Sequence, residues 1–230
     1  MSTTTIYLLP NLLSATRTTE YFPEAMKEIL SSLKGVICES SKGAQSLFSL
    51  YDVKLPLLYQ YNEHSSQSDL EFVFDGIRKT PGNWAVVSDC GMPSLADPGE
   101  HIVRKATRLG IKVEVVPGES SITTALLLSG FNAEKYCFHG YTPQVPDERV
   151  AFFNALSSSS LSKYTHIFIE TPYRNKGFLE SAKASALSDK TWFVCYDIRG
   201  DNFATVKGSI EKVIEFAKVK EKCPAVFMCK

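Results

Sequence analysis

The stretch Trp84–Gly99, W-A-V-V-S-D-C-G-M-P-S-L-A-D-P-G, decides how the rest of the chain is read. Residues Trp84 to Val87 suit a buried strand and run without a break into a loop that holds two Asp, two Gly and two Pro. A helical pattern starts straight after it, so the stretch reads as strand, loop, helix. In an open α/β sheet the crevice at the carboxyl ends of the strands is where ligands bind, and Gly91 lets a ligand approach the backbone where a side chain would block it. The other reading is an ordinary βα connection, although such connections usually run to only about 2 to 6 residues.

Toward the N-terminus the same alternation repeats. Thr3 to Leu9 is β-branched and aliphatic, reads as a first strand, and stops at Pro10. A loop from Pro10 to Thr19 leads into a helix from about Phe22, because Phe22, Met26, Ile29, Leu30 and Leu33 fall on one helical face, and Gly35 ends it. Val36 to Cys38 is a short strand followed by the polar loop Glu39–Gly43 and a helix from Ala44 to Leu50. Leu55 to Tyr61, with one Pro, suggests an edge strand. A helix carrying Leu70, Phe72, Val73, Phe74 and Ile77 follows, and Pro81-Gly82-Asn83 turns the chain into the strand at Trp84.

Beyond Gly99, Ile102, Val103, Ala106 and Leu109 mark a helix, Gly110 caps it, and Ile111 to Val116 is a strand. The loop Pro117-Gly118-Glu119-Ser120-Ser121 leads into a helix over Ile122 to Leu128, with Ser120 or Ser121 placed as its N-cap. Alternating β and α predicts a mostly parallel sheet covered by helices. A new sheet starts at Tyr136–Phe138. Thr142 to Arg149 reads as an exposed loop and Ser157 to Ser162 as a Ser-rich connector. His166 to Glu170 is a strand ending in Thr171-Pro172-Tyr173-Arg174, followed by a helix through Phe178, Leu179 and Ala182. Thr191 to Tyr196 is a strand, Phe203 to Val206 pairs antiparallel with a neighbour, Ile210 to Ala217 is helical, and Pro224-Ala225-Val226 opens a final strand. The expected architecture is α/β with two α/β domains, residues 1–118 and 119–230, and a ligand cleft between them.

Composition narrows the function classes. The 230 residues are 44% hydrophobic, and 25 Lys plus Arg balance 25 Asp plus Glu. No global field draws the chain onto nucleic acid or an anionic membrane, so any nucleic-acid contact has to be a local patch. The six Cys are scattered without a C-x-x-C, and the four His show no ligand spacing, which argues against a metal site and for free thiols. The N-terminal apolar run is too short for a signal peptide or a membrane span, so a soluble, cytoplasmic protein is expected, without membrane association. Neither the phosphate-binding G-x-x-x-x-G-K-[ST] nor G-x-G-x-x-G occurs, and no G-x-S-x-G elbow supports a Ser-His-Asp triad.

Four motifs in register point further. V-S-D-C-G-M-P-S-L-A-D-P-G at Val87–Gly99, V-P-G-E-S-S-I-T-T-A-L at Val116–Leu126, F-H-G-Y-T-P at Phe138–Pro143 and I-E-T-P-Y-R at Ile169–Arg174 together resemble the tetrapyrrole methylase superfamily. Within it they are similar to the branch that methylates a cytidine ribose 2'-hydroxyl of small-subunit ribosomal RNA. Met92 stands where the tetrapyrrole branch usually has Asp, which favours the RNA branch. The resemblance implies S-adenosylmethionine as cofactor, a homodimer, and ribosomal RNA or the small ribosomal subunit as partner. It also implies cofactor contacts from Pro10, Ser88, Asp89, Cys90, Gly91, Met92 and Pro93, from Ser120 and Ser121, from Glu170 and Thr171, and from Pro224 and Ala225. Asp89 would be structural or polar to the ligand.

The chain departs from the branch in two places. Leu9–Ala15 reads L-P-N-L-L-S-A where the branch has P-T-P-I-G-N-L, and Cys38–Gly43 reads C-E-S-S-K-G where it has E-D-T-R. Both lie on the side where an acceptor would enter. Glu39, Glu63 and Glu170 are the candidates for a general base, and Lys42, Arg149 and Arg174 for phosphate contacts. A small-molecule acceptor such as a tetrapyrrole, or a cofactor-binding homologue without catalysis, are the alternative functions.

Overall fold

In the computed structural model, which describes residues 4–14, 18–220 and 222–230, the chain forms two compact units, Met1–Ser120 and Ser121–Lys230. The expected strand start at Thr3 and part of the Pro10–Thr19 loop lie outside the described residues.

The first unit runs β1 (Thr5–Leu9), α1 (Met26–Ser32), β2 (Leu33–Cys38), α2 (Ser41–Leu50), β3 (Leu57–Gln60), α3 (Gln67–Lys79), β4 (Asn83–Val87), α4 (Gly99–Arg108) and β5 (Lys112–Val115). Its five strands form a parallel sheet in the order β3-β2-β4-β1-β5. The inner strands are apolar on both faces, as a parallel sheet covered on both sides requires. Side chains alternate between two cores. Ile6, Leu8, Trp84 and Val86 meet α3 and α4, whereas Leu9, Ala85 and Val87 meet α1 and α2. The helices that follow the adjacent strands β1 and β4 therefore cover opposite faces. That is the topological switch point, and the crevice opens at the carboxyl ends of these two strands.

Two local expectations are corrected in this unit. Helix α1 begins at Met26 rather than Phe22 and ends at Ser32, because Leu33 turns into β2 and is buried there. Gly35 lies inside β2 rather than ending a helix, and the ring of Trp84 would stand 2.2 Å from a Cβ at that position. The Gly is required by packing across the sheet. Helix α3 starts on a reciprocal capping box between Ser66 and Asp69.

The second unit comprises α5 (Ser121–Ser129), β6 (Tyr136–Tyr141), α6 (Pro146–Ser158), β7 (Thr165–Glu170), a 3-10 turn (Pro172–Arg174), α7 (Asn175–Lys183), β8 (Trp192–Tyr196), β9 (Ala204–Gly208), α8 (Ile210–Ala217) and β10 (Ala225–Cys229). Its mixed sheet has the order β6-β7-β10-β8-β9, parallel only between β6 and β7. The last strand in sequence is the middle one in space, which is why all of β10 is buried. An aromatic core of Phe153, Phe168, Phe178, Trp192 and Phe227 fills the face under α6, α7 and α8, with the Phe178 and Phe227 rings stacked at 4.3 Å.

The segment Thr142–Arg149 is not an exposed loop throughout. Pro146 occupies the first turn of α6 with Asp147 and Glu148, where a missing N–H costs nothing and negative charge suits the helix dipole. Ser157 and Ser158, expected in a connector, are the last turn of the same helix. Among the described residues no helix is long and apolar enough to cross a membrane. All six Cys are free; Cys38, Cys195 and Cys229 are buried and Cys90 is exposed.

Candidate functional site

In the first unit three strand ends converge on the switch point. β1 delivers Pro10 and Asn11, β4 delivers Ser88 to Pro93, and β5 delivers Pro117 to Ser120. The Asn11 amide N–H donates to the Gly91 carbonyl at 2.8 Å, and its side-chain Nδ2 donates to the Ser88 carbonyl at 2.8 Å and the Gly43 carbonyl at 3.3 Å. One buried side chain thus ties three loops together. The Ser88 hydroxyl folds back onto the Cys90 carbonyl at 3.2 Å, and the Cys90 thiol lies 3.6 Å from the Leu13 carbonyl.

Two glycines let the loops of this crevice pack closely. Gly91 has φ +70, a conformation that disfavours L side chains, and a Cβ there would lie 3.0 Å from Leu13 Cδ2. At Gly118 a Cβ would fall 2.1 Å from Pro10 Cβ and 3.3 Å from Met92 Sδ, so Pro10, Met92 and Gly118 form one packed group. Ser94 and Ala96 also hold positive φ, of 69 and 64, in a turn closed by Asp97, whose carboxylate accepts from the Ser94 and Gly99 amides.

Asp89 performs a structural task. Its Oδ1 accepts the Ser40 amide at 3.1 Å and the Ser40 hydroxyl at 2.6 Å. Ser40 is the N-cap of α2 and accepts the Gly43 amide. Glu39 reciprocates through Oε2, which accepts the Asp89 amide at 3.1 Å. The ends of β2 and β4 are locked by these crossed bonds. Burial, more than the nearby charges of Asp89, Asp97 and Glu63, raises the carboxyl pKa of half-buried Glu39 above its ordinary value.

In the second unit the register places Glu170, Ala225 and Tyr196 side by side at one end of the three inner strands. Thr171 and Pro224 flank them, and the Pro224 carbonyl accepts the Asp197 amide at 2.8 Å. The structure thus brings Glu170, Thr171, Pro224 and Ala225 together. Ser121 opens α5, and Ser120 before it is buried.

Glu170 is spent within the fold. Its fully buried Oε1 accepts the Thr142 hydroxyl and Arg174 Nη2, the latter at 2.9 Å, and the Arg174 guanidinium also reaches the Thr142 carbonyl at 2.7 Å. A carboxylate so enclosed orients a loop and does not abstract a proton from a substrate. Glu63 is solvent-exposed and faces His64 at 3.6 Å. Glu39 is the remaining member of the three candidates.

Arg149, expected to meet phosphate, is buried instead. Its guanidinium donates to the Ser181 hydroxyl, the Pro143 carbonyl and the Gly177 carbonyl at 3.0 to 3.1 Å. Arg174 is engaged by Glu170, and Lys42 stands exposed. Asn11 and Thr142 escape a reading by sequence because an Asn after a strand and a Thr before a Pro are common in loops. The signal for Asn11 is its place two residues beyond the first strand, opposite a Gly loop.

The sequence pattern of the tetrapyrrole (corrin/porphyrin) methylases matches residues 27–214. Ribosomal RNA small subunit methyltransferase I of Bacillus subtilis is 30% identical over 190 residues, which span 83% of this chain and 63% of that protein. The chain therefore matches less than two thirds of that relative's length. The enzyme of the same description from Thermotoga maritima is 28% identical over 81% of each chain. Among solved structures, uroporphyrin-III-C-methyltransferase from Thermus thermophilus superposes with a TM-score of 0.63 at 16% identity, covering 98% of this chain and 93% of that one, a likeness of fold alone. With the family pattern covering most of its length, the chain belongs to the tetrapyrrole (corrin/porphyrin) methylases.

Proposed function

We propose that the protein is an S-adenosylmethionine-dependent methyltransferase that modifies a ribose 2'-hydroxyl of ribosomal RNA in the small ribosomal subunit, working as a cytoplasmic homodimer. The observation that carries the reading is the crevice at the β1–β4 switch point, where the loops of Pro10, Gly91 and Gly118 converge with no room for a side chain at either glycine, in a chain whose relatives are named as ribosomal RNA methyltransferases. The residues suit the cofactor. A ligand with an amino-acid end needs backbone donors and acceptors at close range, and the loop Ser88–Pro93 offers them where Gly91 removes the side chain. A cationic sulfonium is favoured by the surrounding carboxylates of Glu39, Asp89 and Asp97. When bound, S-adenosylmethionine supplies an electrophilic methyl group.

The remaining tasks fall to the chain itself. Methyl transfer in line needs the acceptor oxygen held close to the methyl carbon, so positioning contributes much of the rate. We assign cofactor contacts to Pro10, Ser88, Asp89, Cys90, Gly91, Met92, Pro93, Ser120 and Ser121, and to Glu170, Thr171, Pro224 and Ala225. Asp89 and Glu170 act through the loops they hold, as their hydrogen bonds indicate. Glu39, with its raised carboxyl pKa, is the residue we assign to take the proton from the acceptor hydroxyl as the oxygen–carbon bond forms.

Isothermal titration with S-adenosylmethionine, followed by mass spectrometry of small-subunit RNA from a strain lacking its own enzyme and carrying this protein, tests the reading. Cofactor binding together with a newly methylated cytidine is the expected result. No binding at millimolar ligand overturns the enzyme reading, whereas binding with unmodified RNA moves the acceptor to a small molecule.

A further inference from the structure

The second unit carries a groove of about 490 Å³ that the proposed cofactor set does not use. It lies between the 3-10 turn with α7 on one side and α8 with the residues after it on the other, beside the strand ends where Glu170, Ala225 and Tyr196 line up. Its rim holds Lys176, Lys218, Lys220 and Lys222. The last three belong to the run K-V-K-E-K, and Lys and Arg outnumber Asp and Glu in this unit although the whole chain is neutral. Tyr173 projects from the turn with 79% of its surface exposed.

The floor gives an independent sign of a ligand. Among the described residues Tyr196, fully buried and lining the groove, leaves its hydroxyl without a partner, and Asn175 leaves its Oδ1 without one while its Nδ2 donates to the Cys223 carbonyl at 2.8 Å. Buried polar atoms are normally satisfied, so two in one groove mark a place where an incoming donor or acceptor would be welcome. Two of the four rim lysines have acidic partners. Glu180 faces Lys176 at 4.0 Å and Glu215 pairs with Lys218, while Lys220 reaches the Asn202 carbonyl at 3.2 Å.

We infer that this groove binds single-stranded RNA, with the lysines of its rim on phosphates, Tyr173 stacked on a base, and the Tyr196 hydroxyl and Asn175 Oδ1 hydrogen-bonding the nucleotide held between them. Lysine phosphate contacts with an exposed aromatic platform are the two parts of single-strand recognition. An acidic peptide would use the lysines and leave Tyr173 idle. The inference rests on the ribosomal RNA reading for its biological ligand and names the surface that holds the strand outside the methyl-transfer crevice. It also accounts for how a neutral chain lacking free Arg149 and Arg174 engages phosphate.

The test compares the wild type with Lys218→Gln/Lys220→Gln/Lys222→Gln and with Tyr173→Ala, all surface changes. Fluorescence anisotropy of a labelled short oligocytidylate is read across a salt series, beside calorimetry with S-adenosylmethionine and methyl transfer to small-subunit RNA. The triple variant is expected to lose at least about tenfold in RNA affinity, and its log–log salt dependence to flatten by about 2, three lysines at roughly 0.7 each for single strands. Tyr173→Ala is expected to weaken binding about tenfold, in the range of one lost base stack, with the salt dependence unchanged. Cofactor affinity stays at the wild-type value in both. Unchanged RNA affinity in the variants, absent RNA binding by the wild type, or equal loss of poly-glutamate binding overturns the groove assignment. If the groove variants lose RNA affinity while the wild type leaves ribosomal RNA unmodified, the groove stands and the substrate reading falls.

Discussion

Gly91 and Glu39 are where the crevice is decided atom by atom. The sequence exposes Gly91 as a residue without a side chain in a long loop; only the fold shows that its φ of +70 and the Leu13 methyl 3.0 Å from a would-be Cβ both disfavour one. Gly91→Val forces a β-branched residue into the left-handed region at a cost of roughly 1–2 kcal/mol, besides the contact with Leu13. The protein is expected to fold and to bind S-adenosylmethionine at least about tenfold more weakly by titration calorimetry; an unchanged Kd would make the loop a mere connection. At Glu39 the pair of carboxylates Glu39 and Asp89 is legible in sequence as two Glu/Asp at strand ends, yet their crossed bonds are not, because they depend on β2 lying beside β4. Glu39→Gln keeps an oxygen to accept the Asp89 amide and removes the base. Its expected signature is a drop in kcat of about 10²–10⁴ with cofactor affinity intact and loss of the acidic limb of the pH profile. A wild-type kcat in the variant would remove Glu39 from proton transfer.

Elements were readable where their periodicity was one-sided and unreadable where it was not. The strand at Trp84, helix α3 and the antiparallel return of β9 follow from local pattern. Helix α6 was hidden because its apolar residues are spread around the helix, and Arg149, polar in sequence, is one of its buried residues. The Glu170–Arg174–Thr142 cluster was visible only as a motif; its role in tying β7 to the turn and to the segment after β6 needs the three side chains in space. Removing one partner of such a buried pair leaves an uncompensated charge, so Arg174→Ala is expected to destabilise the second unit by about 3–5 kcal/mol in urea unfolding. A loss under about 1 kcal/mol would place the pair with ordinary surface bridges. Strands β6 and β7 carry a second such device, His139 Nε2 against His166 Nδ1 at 2.9 Å. Burial, helped by the neighbouring His166, pushes the His139 pKa down from 6.5 to about 4, and burial lowers that of His166 too. The unfolded chain therefore takes up protons that the folded one refuses. Stability is full above the ordinary histidine value and falls as the pH drops from 6.5 toward 4. The urea midpoint is expected to fall between about pH 7 and about pH 5, and to fall less in His139→Gln, which offers His166 a neutral partner. Equal losses in both proteins would exclude the pair as the source.

At the scale of the whole chain, alternation of strands and helices announces an α/β protein, while the separate makeup of its two sheets is beyond local reading. The first is parallel and doubly covered, and the second is mixed with its last strand at the centre. What decides that is burial: β10 is apolar along its whole length and has to lie inside, whatever its place in sequence. Each unit has its own core, so unfolding is best followed by calorimetry with two transitions allowed. A ligand that binds only the folded protein stabilises it by about 2.7 kcal/mol at a concentration of one hundred times Kd. For a protein of this size that corresponds to a rise in Tm of about 5–10 °C, at about 2–4 °C per kcal/mol. S-adenosylmethionine is expected to move the transition of the unit that holds Gly91 by this amount, and to move it far less in Gly91→Val at the same concentration. Because the gain follows from mass action, raising the ligand a further tenfold adds about 1.4 kcal/mol more in the wild type. A transition that ignores the cofactor at every concentration, while the oligonucleotide still binds, would leave a folded RNA-binding protein whose crevice at β1 and β4 holds something else.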